Sequence, residues 1–148
     1  MILAAQNPSE RQSLLRYLAQ QIGEEPRALV GDMPYCAFAS VRDERLLGVV
    51  VFLNYRRQSM EFHLTGAPGW VTRAEIRQLF TYAFDVLGVL RLWCMIRRNN
   101  KQARKGAERL GFKVLGVADD EFGEGKDGIV YSMKRSDCRW IKKDLSHG

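Results

Sequence analysis

Residues 100–112, NKQARKGAERLGF, constrain what this chain can fold into more than any other stretch. Asn100, or Asn99 beside it, offers a side-chain acceptor to the free N–H groups of a helix start. Ala103, Ala107 and Leu110 recur at helical spacing and form a stripe for burial. Gly111 stands where a left-handed C-terminal cap is wanted, and Phe112 returns to the core. The preceding run 91–97, RLWCMIR, is rich in large apolar residues and reads as a strand. Strand, basic turn, capped helix, Gly-Phe and strand make one βα step, which needs a sheet for its helix to cover.

Other signals extend that step in both directions. Residues 2–5 suit a short strand. Asn7, Pro8 and Glu10 form a helix start, and Leu14, Leu15, Leu18 and Ile22 predict a helix over 8–22 closed by Gly23. A connection over 24–32 has room for a helical turn. Strands over 35–41, 46–55 and 59–65, separated by the polar turns 42–45 and 56–58, predict an antiparallel meander. Thr72 and Glu75 spell a capping box, and Ile76, Leu79, Phe80, Ala83, Phe84 and Leu87 carry that helix to Gly88. After the helix at 100–110, strands over 113–118 and 129–133 flank an acidic loop, and a capped turn follows at Ser136.

With 148 residues, no repeat and no linker, the expectation is a single domain over 1–148. Hydrophobic residues are 46% and charged residues 27%, which excludes a disordered chain. The longest apolar run, 46–53, is too short to span a membrane, and no secretory leader is apparent. Cys36, Cys94 and Cys138 are odd in number and lack metal-ligand spacing, which points to reduced thiols in a cytoplasmic compartment. With His63 and His147 the only histidines, a His-based metal site is not expected.

The net charge of +6 is uneven. Residues 97–113 hold seven basic side chains against one Glu, and 119–127 hold five acids against one Lys. Such a basic cluster serves a solvated helix face, a nucleic acid, an anionic membrane or a phosphorylated small molecule. No exposed aromatic residues are expected to interleave it as single-strand binding would favour, so nucleic acid is not the preferred partner. The acidic loop could draw a cationic acceptor, although a solvated hairpin explains it as well.

Two further places can carry chemistry. The glycines at 66 and 69 lead to a helix start at Thr72 with Arg73 and Arg77 beside it, a suitable cradle for phosphate. On the strand 59–65, period-two alternation sets Met60, Phe62 and Leu64 on one face and Glu61, His63 and Thr65 on the other. His titrates near neutrality and suits proton transfer; Glu61 needs desolvation to match it.

The order of elements, with Asn100 set one short helix before Gly111-Phe112, resembles the GNAT superfamily of acyl-CoA-dependent N-acetyltransferases. The resemblance implies an α+β, three-layer fold with a mixed, mostly antiparallel sheet of six to seven strands. It implies acetyl-CoA as co-substrate, no metal, and transfer to a primary amine by direct attack in a ternary complex. His63 or Glu61 would take the amine proton. Leu64, Thr65, Gly69, Trp70, Val71, Thr72, Arg73, Asn100 and Arg104 would line the cofactor, with pantetheine between strands 59–65 and 91–97. The chain departs from the family's Gly-rich pyrophosphate signature. Ala107 stands where many members place a Tyr acid, with Tyr131 or Ser132 as substitutes. The tail and general character are similar to the branch of ribosomal-protein N-terminal acetyltransferases, some of them phage-encoded. A protein N-terminus, a lysine or a small amine would all serve as acceptor, and a homodimer is compatible with the fold. The competing reading is a GNAT-like binding module without chemistry, docking on a host protein or nucleic acid.

Overall fold

The computed structural model describes residues 1–66 and 68–142. Thirteen elements follow one another: β1 (Ile2–Ala4), α1 (Pro8–Ile22), α2 (Pro26–Val30), β2 (Tyr35–Arg42), β3 (Arg45–Leu53), β4 (Ser59–Gly66), α3 (Arg73–Thr81), a π-helical turn (Tyr82–Val86), β5 (Arg91–Arg97), α4 (Lys101–Leu110), β6 (Lys113–Ala118), β7 (Gly128–Lys134) and a 3₁₀ turn (Arg135–Asp137). The seven strands form one sheet in the order β1-β2-β3-β4-β5-β7-β6. All neighbours are antiparallel except β4 and β5.

The helix limits follow from their caps. Asn7 accepts from the Glu10 N–H at 2.9 Å, and Gly23 closes α1 at φ 74°. Thr72 and Glu75 complete a reciprocal capping box on α3. Asn100 Oδ1 accepts from the Ala103 N–H at 3.1 Å, and Gly111 ends α4 at φ 108°. One difference from the sequence reading concerns the helix expected to run unbroken to Gly88. It is α-helical only to Thr81 and then widens into the π turn, closed by the Leu87 N–H on the Tyr82 carbonyl. Periodicity does not report this, because one extra residue per turn leaves Ala83 and Phe84 fully buried. The strand expected over 46–55 ends at Leu53, with Asn54 in the left-handed region at φ 54°.

Helices cover the sheet on both faces. Phe52, Met60, Phe62, Leu92, Tyr131 and Met133 pack against Leu79, Phe80, Phe84 and Ala107 on the α3/α4 side. Ala37, Val49, Val51 and Leu53 pack against Leu15, Leu18 and Val30 on the α1/α2 side. No described helix is long and apolar enough to cross a membrane.

Candidate active site

The parallel pair defines the site. β4 and β5 are in register only from Ser59 with Arg91 to Glu61 with Trp93. Beyond that point β4 stays paired to β3 as far as Gly66, and β5 stays paired to β7 as far as Arg97. The two strands therefore diverge, and the backbone groups of 62–65 that face β5 have no strand partner. In a sheet interior such groups need another partner. Both strands run into helices at this end, so α3 and α4 begin at the carboxyl ends of parallel neighbours, where open mixed sheets place their ligands.

Period-two geometry separates the two faces of the opening. Leu64 packs with Trp70 and Val71 against the α3/α4 core. Glu61, His63 and Thr65 stand opposite Leu53, Val51 and Val49 on the α1/α2 side. His63 Nε2 lies 2.8 Å from Glu61 Oε2, each side chain 14% exposed. The two residues offered as alternative bases thus form one hydrogen-bonded pair. With a carboxylate as partner, Nε2 carries the proton and donates it to Glu61. That leaves the Nδ1 lone pair for another donor. The sequence already held the signal, since residues two apart on a strand share a face. Trp93 and Ser132, opposite one another and beside Glu61, share that face and were not picked out as its floor.

The loop from β4 to α3 is fixed by Trp70, a residue that the family resemblance sets along the cofactor. Trp70 lies on two glycines that face each other across β3 and β4, Gly48 and Gly66. A Cβ on either would come within 2.2 Å of its ring. The Trp70 carbonyl accepts from the buried Ser40 hydroxyl at 2.6 Å. Gly69, Thr72 and Arg73 are exposed at the helix mouth, Gly69 at φ 78°. Ala67 lies outside the described residues, as does His147.

Glu75 anchors the same corner from beneath. Its carboxylate accepts from the Thr72 N–H at 3.0 Å and pairs with the Met1 ammonium at 2.9 Å. Burial opposes its ionisation, but the Thr72 N–H and hydroxyl and the ammonium outweigh it, so its pKa falls from 4.5 to about 2. A lowered carboxylate pKa contributes stability that is complete above the unfolded value and fades as pH falls through the folded one. A Tm profile is therefore expected to drop between pH 4.5 and about 2. Glu75→Gln should lower Tm at neutral pH and flatten that drop; an unchanged profile would remove Glu75 from this role.

At α4, Arg104 Nε donates to Tyr131 Oη at 3.0 Å and Nη1 donates to the Arg98 carbonyl at 3.0 Å. Tyr131 Oη in turn donates to Glu108 at 3.3 Å, and Tyr131 is fully buried. The substitute acid thus lies beneath α4 in a closed hydrogen-bond chain. Ala107 is packed in the core beside it. Arg97 pairs with Glu24 and lies 4.3 Å over the Phe122 ring, while Arg98 pairs with Asp127 at 3.2 Å. Three members of the basic cluster thus hold loops together. The acidic loop is likewise tied internally, Asp120 accepting from the Gly125 N–H at 2.7 Å.

Cys36, Cys94 and Cys138 are not linked to one another, and burial pushes the Cys94 thiol up to about 12, with Glu61 adding to the effect. An inert thiol of this kind is no nucleophile. Among the described residues no three His, Cys, Asp or Glu side chains are grouped to hold a metal ion. Two surface cavities, of about 440 and 460 Å³, lie away from the strand opening, at Leu90 and Cys138 and at Leu15 and Tyr35.

No family model matches the chain. It is 30% identical over 107 residues to an acetyltransferase PseH of Campylobacter jejuni (strain ATCC 700819 / NCTC 11168) and 29% identical over 104 residues to that of strain 81-176. In each case the match covers 69% of this chain and 62% of the relative, so the chain spans less than two thirds of the proteins it matches. Among solved structures it is similar to a Vibrio cholerae spermidine N-acetyltransferase SpeG chimera with hSSAT, at TM-score 0.69 and 20% identity, over 92% of this chain and 97% of the other. The same enzyme solved in complex with CoA and spermine aligns at TM-score 0.68 and 20% identity, over 92% and 96%. The mixed seven-stranded sheet flanked by helices is therefore the GNAT acetyltransferase fold.

Proposed function

We propose that this chain is an acetyl-CoA-dependent N-acetyltransferase acting on a primary amine, with the opening between β4 and β5 as the place where the two substrates meet. The observation that carries the reading is the divergence of a parallel strand pair with two capped helices starting at its mouth and a His–Glu pair on the far face. The relatedness to an acetyltransferase over most of this chain supports the same reaction class.

In this reading the cofactor enters from the α3/α4 side. The exposed N–H groups of Arg73 and Ala74, ahead of the first intrahelical bonds, receive its pyrophosphate, aided by the Arg73 side chain and the backbone at Gly69. Val71 and Thr72 line the way inward, and Asn100 and Arg104 border the pantetheine arm at the start of α4. The backbone of Leu64 and Thr65 faces the thioester, where free N–H groups would hold the carbonyl oxygen as charge builds on it. The amine approaches from the α1/α2 side. His63 Nδ1 takes its proton, and Glu61 keeps the ring in the required tautomer and stabilises the imidazolium. The amine nitrogen then bonds to the acyl carbon, the carbon–sulfur bond breaks, and the thiolate leaves to be protonated from solvent. Tyr131 is too enclosed to reach it without opening its chain to Arg104 and Glu108.

The floor beside the pair, Trp93 and Ser132, meets whatever carries the amine. A small amine suits this half-buried surface better than a protein N-terminus of the ribosomal-protein branch, and a cytoplasmic setting fits both. Titration calorimetry with acetyl-CoA tests the reading, with micromolar binding expected. Thiol release should then be followed against a panel holding a polyamine, an amino sugar, and peptides with free N-termini. Absence of binding at high micromolar concentration overturns the cofactor and the enzyme together. Binding with no thiol release from any amine favours the module without chemistry.

A further inference from the structure

Three segments meet at the end of the sheet opposite the candidate site: 54–58 ahead of β4, 86–91 leading into β5, and 134–142 from the end of β7. Backbone bonds stitch them together. The Leu90 N–H donates to the Gln58 carbonyl at 2.9 Å, and the Arg135 N–H donates to the Leu90 carbonyl at 2.8 Å. The Tyr55 hydroxyl donates to the Leu87 carbonyl at 3.3 Å. Held on both sides, Leu90 presents its side chain to solvent at 56% exposure, with Val86 at 69% and Tyr55 at 53%. Single exposed apolar residues need no explanation, but three gathered on one stitched frame form a patch.

The same segments hold seven basic residues and one acid, Asp137. Arg135 is taken by Asp85 at 2.7 Å, and Arg139 lies over the Trp140 ring and donates to the Arg109 carbonyl. The other five, Arg56, Arg57, Arg91, Lys134 and Lys142, have no acidic partner among the described residues. Apolar tips among uncompensated cations match a surface that is anionic outside and apolar just beneath. A cavity of about 440 Å³ beside Leu90 has Lys134 and Lys142 among its walls, with the buried Cys138 and Ile141, and leaves room for a phosphate headgroup.

We propose that this end of the molecule docks on an anionic lipid surface. Val86, Leu90 and Tyr55 enter the headgroup layer, and the five cations meet lipid phosphates. The apolar side chains protrude from separate loops, which suits a deformable boundary rather than a single peptide laid in a groove. A nucleic acid would find only Tyr55 to stack on. Because α3 and α4 begin at the other end of β4 and β5, a docked molecule keeps its strand opening toward solution. The inference stands apart from the proposed chemistry, since none of these residues belongs to the candidate site.

Co-sedimentation of the full chain with phosphatidylglycerol vesicles tests it, with phosphatidylcholine vesicles as the neutral control. Binding to the anionic vesicles alone is expected, and it should weaken as salt is raised. Arg56→Gln combined with Arg57→Gln should lower the partition coefficient about 25-fold, a factor of about five for each cation. Val86→Ser combined with Leu90→Ser should lower it about tenfold through lost apolar contact. Lys101→Gln combined with Lys105→Gln removes equal charge from α4, at the far end, and should change it by less than about threefold. Far-UV circular dichroism should be native throughout, because every replaced side chain is exposed. No binding to phosphatidylglycerol vesicles at low salt overturns the inference. So does an α4 pair that matters as much as the arginine pair, since net charge alone would then suffice. Binding of oligouridylate in place of vesicles overturns it too and gives the surface to nucleic acid.

Discussion

Replacing His63 with Ala is expected to lower kcat/KM for acetyl transfer by about 10²–10⁴-fold, the range that a positioned general base supplies. Cofactor affinity should stay near the wild-type value, because His63 faces the α1/α2 side of the opening, away from the helix starts. Glu61→Gln should cost less. Its amide oxygen still accepts the Nε2–H, so the ring keeps its orientation, but the charge that favours the imidazolium is gone. If His63→Ala keeps its rate within about threefold, proton transfer is not the work of this pair.

The second large effect is expected from Gly66→Ala, one methyl group placed where Trp70 lies. The new Cβ would sit 2.2 Å from the ring's attachment carbon, and Gly48 closes the other side of the slot. The indole has to leave, and with it goes the anchoring of the loop that leads into α3. Overpacking of this kind costs about 1–3 kcal/mol in stability, read as a lower midpoint in urea. The same variant should bind acetyl-CoA more weakly, since the N–H groups of Arg73 and Ala74 are held in place by that loop. Trp70→Ala combined with Gly66→Ala separates the two effects. It removes the clash but not the loss of the anchor, so stability should partly recover while affinity should not. Wild-type behaviour of the single variant would show that the loop adapts without the tryptophan.

The helices and strands were readable because each carries its own local signal. The caps at Asn7, Thr72, Asn100 and Gly111 act within a few residues, and alternation along β4 follows from the pleat alone. That is why the faces of Glu61 and Leu64 could be assigned before any contact was known. What escaped notice was made by contacts between distant segments. Ser40 reaches Trp70 thirty residues on, Arg97 reaches Glu24 across seventy-three, and the slot for the indole needs Gly48 and Gly66 from different strands. Charge was the least informative guide. Arg97, Arg98 and Arg104 read as a patch awaiting a ligand, yet each is also engaged with the protein itself. A count of positive residues does not distinguish side chains that face solvent from those that fasten loops.

The narrow contact between β4 and β5 bears on how the molecule resists unfolding. Only three residue pairs join the strands before it to the strands after it within the sheet. Amide hydrogens along that seam should exchange with solvent sooner than those of β3 or β7, which are bonded on both sides. A molecule lodged in the gap would rivet the two halves, so the slowing of exchange on its addition should be greatest at 62–65 and 94–97.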